Sequence, residues 1–125
     1  MAETPMQRLL SSGDAAIIHA SEVDAFLGCT LGALLLTGDP AQRPEAEDLA
    51  VIGRELKKLS GGKLALGVVN FADEDAVKER LQIKVVPTVV FVKDGRVVST
   101  VPRLQDWSVY ARAAATLFPK PEVKR

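Results

Sequence analysis

A chain of 125 residues fits a single domain, long enough to bury a core without staples. Sixteen basic and sixteen acidic side chains cancel, which excludes a global field that would draw the protein to nucleic acid or a membrane surface. One cysteine excludes an internal disulfide and any multi-thiolate metal site, and the longest apolar run, Leu31 to Leu36, is too short to span a bilayer.

Thr4 and Pro5 predict the start of a short helix, with Pro at its first position and Met6, Leu9 and Leu10 on one side. The first residues carry Glu3 and lack a basic stretch ahead of an apolar one, so a secretory signal is not expected and a cytoplasmic location is. Ala15 to His19 reads as a first strand. Ser21, with Asp24 three residues on, predicts an N-cap for a helix that buries Val23, Phe26 and Leu27 and stops at Gly28.

Cys29 to Thr37 is short, rich in leucine and free of charge, the pattern of a buried strand. The loop from Gly38 to Pro44 leads into the longest predicted helix, Glu45 to about Leu59, with Leu49, Ile52, Leu56 and Leu59 on one face. Its acids crowd the first turn and Lys57 and Lys58 the last, as the macrodipole favours, and Gly61-Gly62 ends it. Leu64 to Phe71 predicts a second strand covered on both sides. Asp73, Glu74 and Asp75 open the next helix and Lys78 and Arg80 close it, with Val77 and Leu81 facing inward.

Asp94-Gly95 between two β-branched runs is the signature of a two-residue hairpin, because both turn positions need positive φ. Pro87 cannot donate to a ladder and must sit where the first hairpin strand begins, at an X-Pro bond that is a candidate for the cis isomer. Val97 to Val101 mixes Ser99 and Thr100 with valines and reads as the edge strand. A last helix from about Asp106 to Phe118 is expected to bury Trp107, Tyr110 or Ala111, Ala114 and Leu117. The whole is an α/β domain over residues 1–118, a central mixed sheet with helices on both faces, followed by a charged tail over 119–125 that is expected to fray.

This arrangement resembles the thioredoxin fold. The residues that carry the resemblance are the charge-free strand Leu31 to Leu36, the loop-to-helix step from Gly38 to Asp48, and Val86-Pro87-Thr88 with Lys93-Asp94-Gly95. In thioredoxins the proline matching Pro87 is cis and faces the active-site loop. Where thioredoxins carry two cysteines, this loop reads Asp39-Pro40-Ala41-Gln42-Arg43-Pro44-Glu45, without sulfur. Thiol–disulfide exchange needs an attacking thiolate and a resolving partner, so the departure argues against dithiol chemistry.

A narrower resemblance rests on Thr37-Gly38-Asp39-Pro40, Pro44-Glu45 and Val51-Ile52-Gly53-Arg54-Glu55-Leu56, with Pro87, Asp94-Gly95 and Trp107 further on. These residues are similar to the hydrogenase expression/formation proteins of the HyaE/HupG type. The resemblance implies a non-catalytic, thioredoxin-like chaperone for the small subunit of NiFe-hydrogenases. Its implied partner is the twin-arginine signal peptide of the small-subunit precursor, and no cofactor is implied.

On that reading Asp39, Glu45, Glu47 and Asp48 form an acidic surface for paired arginines, since guanidinium and carboxylate pair bidentately, while apolar surface near Pro87 holds the peptide's hydrophobic part. Each carboxylate has a plainer use in compensating the helix dipole, and one group can do both. Cys29 has no basic neighbour in sequence to lower its pKa and is expected to be buried and inert; its alternative is a lone-thiol redox enzyme. His19 lacks a visible partner for general-base work. A further alternative is a structural thioredoxin-like subunit, and the edge strand could accept either a peptide strand or a second copy in a homodimer.

Overall fold

The computed structural model describes residues 3–39, 41, 42 and 44–118; the tail expected over 119–125 lies outside them. Helix α1 (Pro5–Ser11) begins as its sequence predicts. The Thr4 hydroxyl accepts the Gln7 amide at 3.1 Å, and the Gln7 side chain accepts the Thr4 amide at 2.9 Å, a reciprocal capping box. The chain continues through β1 (Ala16–Ile18), α2 (Val23–Leu27), β2 (Leu31–Leu36), α3 (Glu45–Leu59), β3 (Ala65–Val69), α4 (Glu74–Leu81), β4 (Thr88–Lys93), β5 (Arg96–Pro102) and α5 (Trp107–Ala115).

The five strands form one sheet in the order β1-β3-β2-β4-β5. The first three are parallel, β4 runs antiparallel to β2, and β5 closes the hairpin as the edge. Asp94 and Gly95 have φ of 51° and 80°, the left-handed values that a tight hairpin turn demands. The charge-free runs are explained by burial on both sides of the sheet. On β2, Ala33 and Leu35 join the core beneath α1, α3 and α5, whereas Leu34 and Leu36 join the opposite core beneath α2 and α4.

Helix α3 has the predicted bounds but a different buried face. Ala46, Leu49, Ala50, Gly53 and Leu56 turn inward, Ile52 is half-buried and Leu59 is 48% exposed. Small residues on that face let the helix lie close to the sheet; a Cβ on Gly53 would stand 3.1 Å from Leu35 Cδ1. Leu59 falls at the helix's last position, beyond the sheet surface that would cover it. The same geometry corrects Trp107, which is 41% exposed at the first position of α5 while Tyr110, Ala114 and Leu117 carry the buried stripe. Ser21 is not an N-cap. A 3-10 turn over Ala20–Glu22 precedes α2, and the Glu22 carboxylate accepts the His19 amide at 2.9 Å. The strand expected to reach Phe71 ends at Val69, and Phe71 lies exposed in a second 3-10 turn before α4.

Candidate functional site

The β2–β4 register aligns Leu35 with Val89 and Leu36 with Thr88, so one step past the ladder Thr37 comes opposite Pro87. The Val86–Pro87 bond is cis and Pro87 is buried. The loop that leaves β2 therefore starts against this proline, at the end of the sheet where the parallel strands finish. Gly38 turns the chain with a φ of 78°, a conformation a side chain would resist.

Beneath that turn lies a residue the sequence pattern did not single out. Glu74, at the start of α4, is 4% exposed, and its Oε2 accepts the Gly38 amide at 2.8 Å. Burial pushes the Glu74 carboxyl above its ordinary pKa of 4.5, against the backbone amides of Gly38 and Thr37 and the Lys78 ammonium, which favour the charged form. The Thr37 hydroxyl donates to the Gly38 carbonyl at 3.0 Å. Read as one of three acids opening a helix, Glu74 carried no sign of its burial; the only signal was a carboxylate at the N-terminus of a helix that must pack beside a loop.

The four acidic residues expected at the site differ in surroundings. Asp39 follows the turn, half-buried, and its Oδ1 accepts the Ala41 amide at 3.0 Å. Glu45 and Glu47 are half-buried and Asp48 is exposed in the first turn of α3. Glu47 holds α1 onto α3, its Oε1 accepting the Met6 amide at 2.8 Å. One oxygen of Glu47 is thus already committed, whereas no hydrogen bond or ion pair engages the Glu45 or Asp48 carboxylates among the described residues.

Apolar surface gathers on the other side of Pro87. The Pro87 carbonyl accepts the Arg103 amide at 2.7 Å, where Arg103 has a φ of 65°. The buried Tyr110 hydroxyl donates to the Arg103 carbonyl at 3.1 Å and accepts the Gln105 amide at 3.0 Å. These bonds fix the segment after β5 beside the proline, and on it Leu104 is 38% exposed, with the exposed Trp107 three residues on.

The remaining candidates lie elsewhere. Cys29 sits two residues before β2, at the opposite end of that strand from the Gly38 turn, half-buried against the α2–α4 core. Burial pushes its thiol up, against backbone hydrogen bonds at Cys29 and Leu31. His19 does have a partner: its Nδ1 lies 3.2 Å from Asp73 Oδ2. The Asn70 side-chain amide, ahead of the Ala20 amide and His19, holds Asp73 below the usual carboxylate range despite some desolvation. Among the described residues no group of three or more His, Cys, Asp or Glu side chains could hold a metal ion, and no helix is long and apolar enough to cross a membrane.

Solved structures similar to this chain include a mutant thioredoxin from Halobacterium salinarum. Its TM-score is 0.73 at 15% identity, over 98% of this chain and 99% of that one. A Plasmodium falciparum thioredoxin gives 0.67 at 18% identity, over 82% and 97%. The fold is thioredoxin-like. In sequence, 38% of 109 residues are identical to the hydrogenase expression/formation protein HupG of Bradyrhizobium diazoefficiens, spanning 83% of this chain and 74% of that protein. HoxO of Cupriavidus necator, described in the same words, is 31% identical over 110 residues, 86% of this chain and 68% of its own length. Residues 6–110 match the family described as "Hydrogenase-1 expression protein HyaE", and with its thioredoxin-like fold the chain belongs to that family of hydrogenase expression proteins.

Proposed function

We propose that this protein is a non-catalytic chaperone of hydrogenase maturation that binds the twin-arginine signal peptide of the small-subunit precursor in the cytoplasm. One observation carries the reading. At the end of the sheet where thioredoxins hold their thiols, this chain carries the carboxylates of Asp39, Glu45 and Asp48 on and just after a loop that starts against the buried Pro87, and its single cysteine lies at the far end of β2. Carboxylates there suit guanidinium groups, and Leu104 and Trp107 beside Pro87 supply exposed apolar surface for the segment that follows the arginines. Dithiol chemistry lacks its second sulfur, and burial pushes the one thiol present above its ordinary pKa, away from the reactive thiolate.

Calorimetry with a synthetic twin-arginine signal peptide tests the reading. Binding is expected to weaken by about tenfold or more in Asp39→Asn/Glu45→Gln/Asp48→Asn, with a flatter salt dependence, and to weaken in Leu104→Ser/Trp107→Ser with the salt dependence retained. Equal affinity for a peptide whose arginines are replaced by glutamine overturns it.

A further inference from the structure

The chain's zero net charge conceals two poles. Helix α3 returns from the end of β2 to the start of the parallel strand β3, with acids in its first turn and Lys57 and Lys58 in its last, so those lysines lie at the end of the sheet opposite the Gly38 turn. The end of the sheet opposite Pro87 is accordingly rich in lysine, and it holds a half-open groove of about 570 Å³. Leu31, Ala65 and Leu117 make its apolar floor, with Cys29, Thr30, Lys63, Lys93 and Asp94 around it.

The groove is built rather than incidental. The Thr30 carbonyl accepts the Asp94 amide at 2.9 Å and the Cys29 carbonyl accepts the Gly95 amide at 3.1 Å, which locks the turn before β2 to the hairpin turn. Strand β2 lies between β3 and β4, so Lys63, just ahead of β3, and Lys93, at the end of β4, flank Leu31 across two strand spacings, about 10 Å. Neither ammonium forms an ion pair among the described residues. Two cations on either side of an apolar floor match an aliphatic group with a carboxylate on each side. A simple fatty carboxylate offers only one.

We propose that this groove is a second recognition site, one that takes an aliphatic side chain flanked by carboxylates on a partner polypeptide. It stands independently of what the acidic end binds; where that end takes arginines as proposed above, the domain is a bridge. One end of β2 faces a cationic ligand and the other, about 20 Å away, an anionic one.

The test uses the full chain and three capped peptides, Gly-Glu-Leu-Leu-Glu-Gly, Gly-Lys-Leu-Leu-Lys-Gly and Gly-Glu-Ser-Ser-Glu-Gly, read by calorimetry and by the NMR shifts of the Thr30, Lys93 and Asp94 amides. Only the first is expected to saturate, and it shifts those amides. Lys63→Glu/Lys93→Glu weakens its binding about tenfold or more, and Lys63→Arg/Lys93→Arg retains it. A twin-arginine peptide leaves those amides unshifted, which separates this site from the acidic one. Saturation by the lysine peptide, unaltered affinity in the charge-reversed variant, or no shift at those amides overturns the proposal. So does saturation by decanoate where the Glu-Leu-Leu-Glu peptide does not bind, which assigns the groove to a small amphiphile.

Discussion

The Gly38 amide donates across 2.8 Å to the buried carboxyl group of Glu74, so the turn that opens the candidate site is anchored from below by the first residue of a helix 36 positions further along the chain. Removing the acceptor in Glu74→Ala leaves a buried N–H without a partner and is expected to cost about 1–3 kcal/mol in urea denaturation. Glu74→Gln keeps an accepting oxygen and is expected to cost less. The pH dependence separates the two effects. Burial raises the folded-state pKa of Glu74 above 4.5, so the folded protein holds this proton more tightly than the unfolded chain does. Its contribution is fully present below about pH 4.5 and is lost as pH rises through the raised value. Glu74→Gln should flatten stability over that window, and an unchanged slope would show that Glu74 is not the group responsible.

Glu47 and Asp48 stand side by side in sequence yet are expected to fail differently. Glu47 accepts the Met6 amide and ties α1 to α3, while Asp48 is exposed. Glu47→Ala should lower stability by about 1–3 kcal/mol, because it orphans an amide and loosens the docking of α1. Asp48→Asn should leave stability within about 0.5 kcal/mol and act on binding of a twin-arginine peptide. Urea melts paired with calorimetry on the two variants check the split.

The tie between Tyr110 and the segment after β5 makes a third expectation. Its hydroxyl serves the Arg103 carbonyl and the Gln105 amide from inside the core. Tyr110→Phe keeps the packing and drops both bonds, for a cost of about 1–2 kcal/mol. Hydrogen exchange at Gln105 should accelerate in that variant, and peptide affinity should fall as Leu104 loses its fixed position beside Pro87.

These expectations also mark what could be read from sequence. Leu31 to Leu36 and the bounds of α3 were legible because a charge-free run and dipole-matched helix ends are local signals. The hairpin at Asp94-Gly95 was legible because only certain residues tolerate its φ values. Leu59 and Trp107 were misread because periodicity gives a helix face but not where the partner surface stops. Glu74 was missed for a related reason: an acid at a helix start looks solvated until the loop that buries it is known, and that contact is set by the sheet order. Asp39, Glu45, Glu47 and Asp48 could be grouped from the loop-to-helix step alone, whereas the position of Leu104 depends on the Arg103–Pro87 bond, which no pattern announces.

Gly32 and Cys29 provide the last prediction. A Cβ built on Gly32 would stand 2.5 Å from Cys29 Sγ, and 3.3 Å from both the Ala65 carbonyl oxygen and Phe26 Cζ. Gly32→Ala must therefore push the thiol aside and is expected to destabilise by about 1–3 kcal/mol, as overpacking of a filled core does. Cys29→Ala removes the sulfur that the new methyl group meets, so the double variant should be more stable than the sum of the two single changes implies. A double-mutant cycle by urea denaturation measures this coupling, expected to be favourable by about 0.5 kcal/mol or more. Strict additivity would mean that the sulfur is not what excludes a side chain at position 32, and would leave the backbone of β3 and the Phe26 ring as the obstacle.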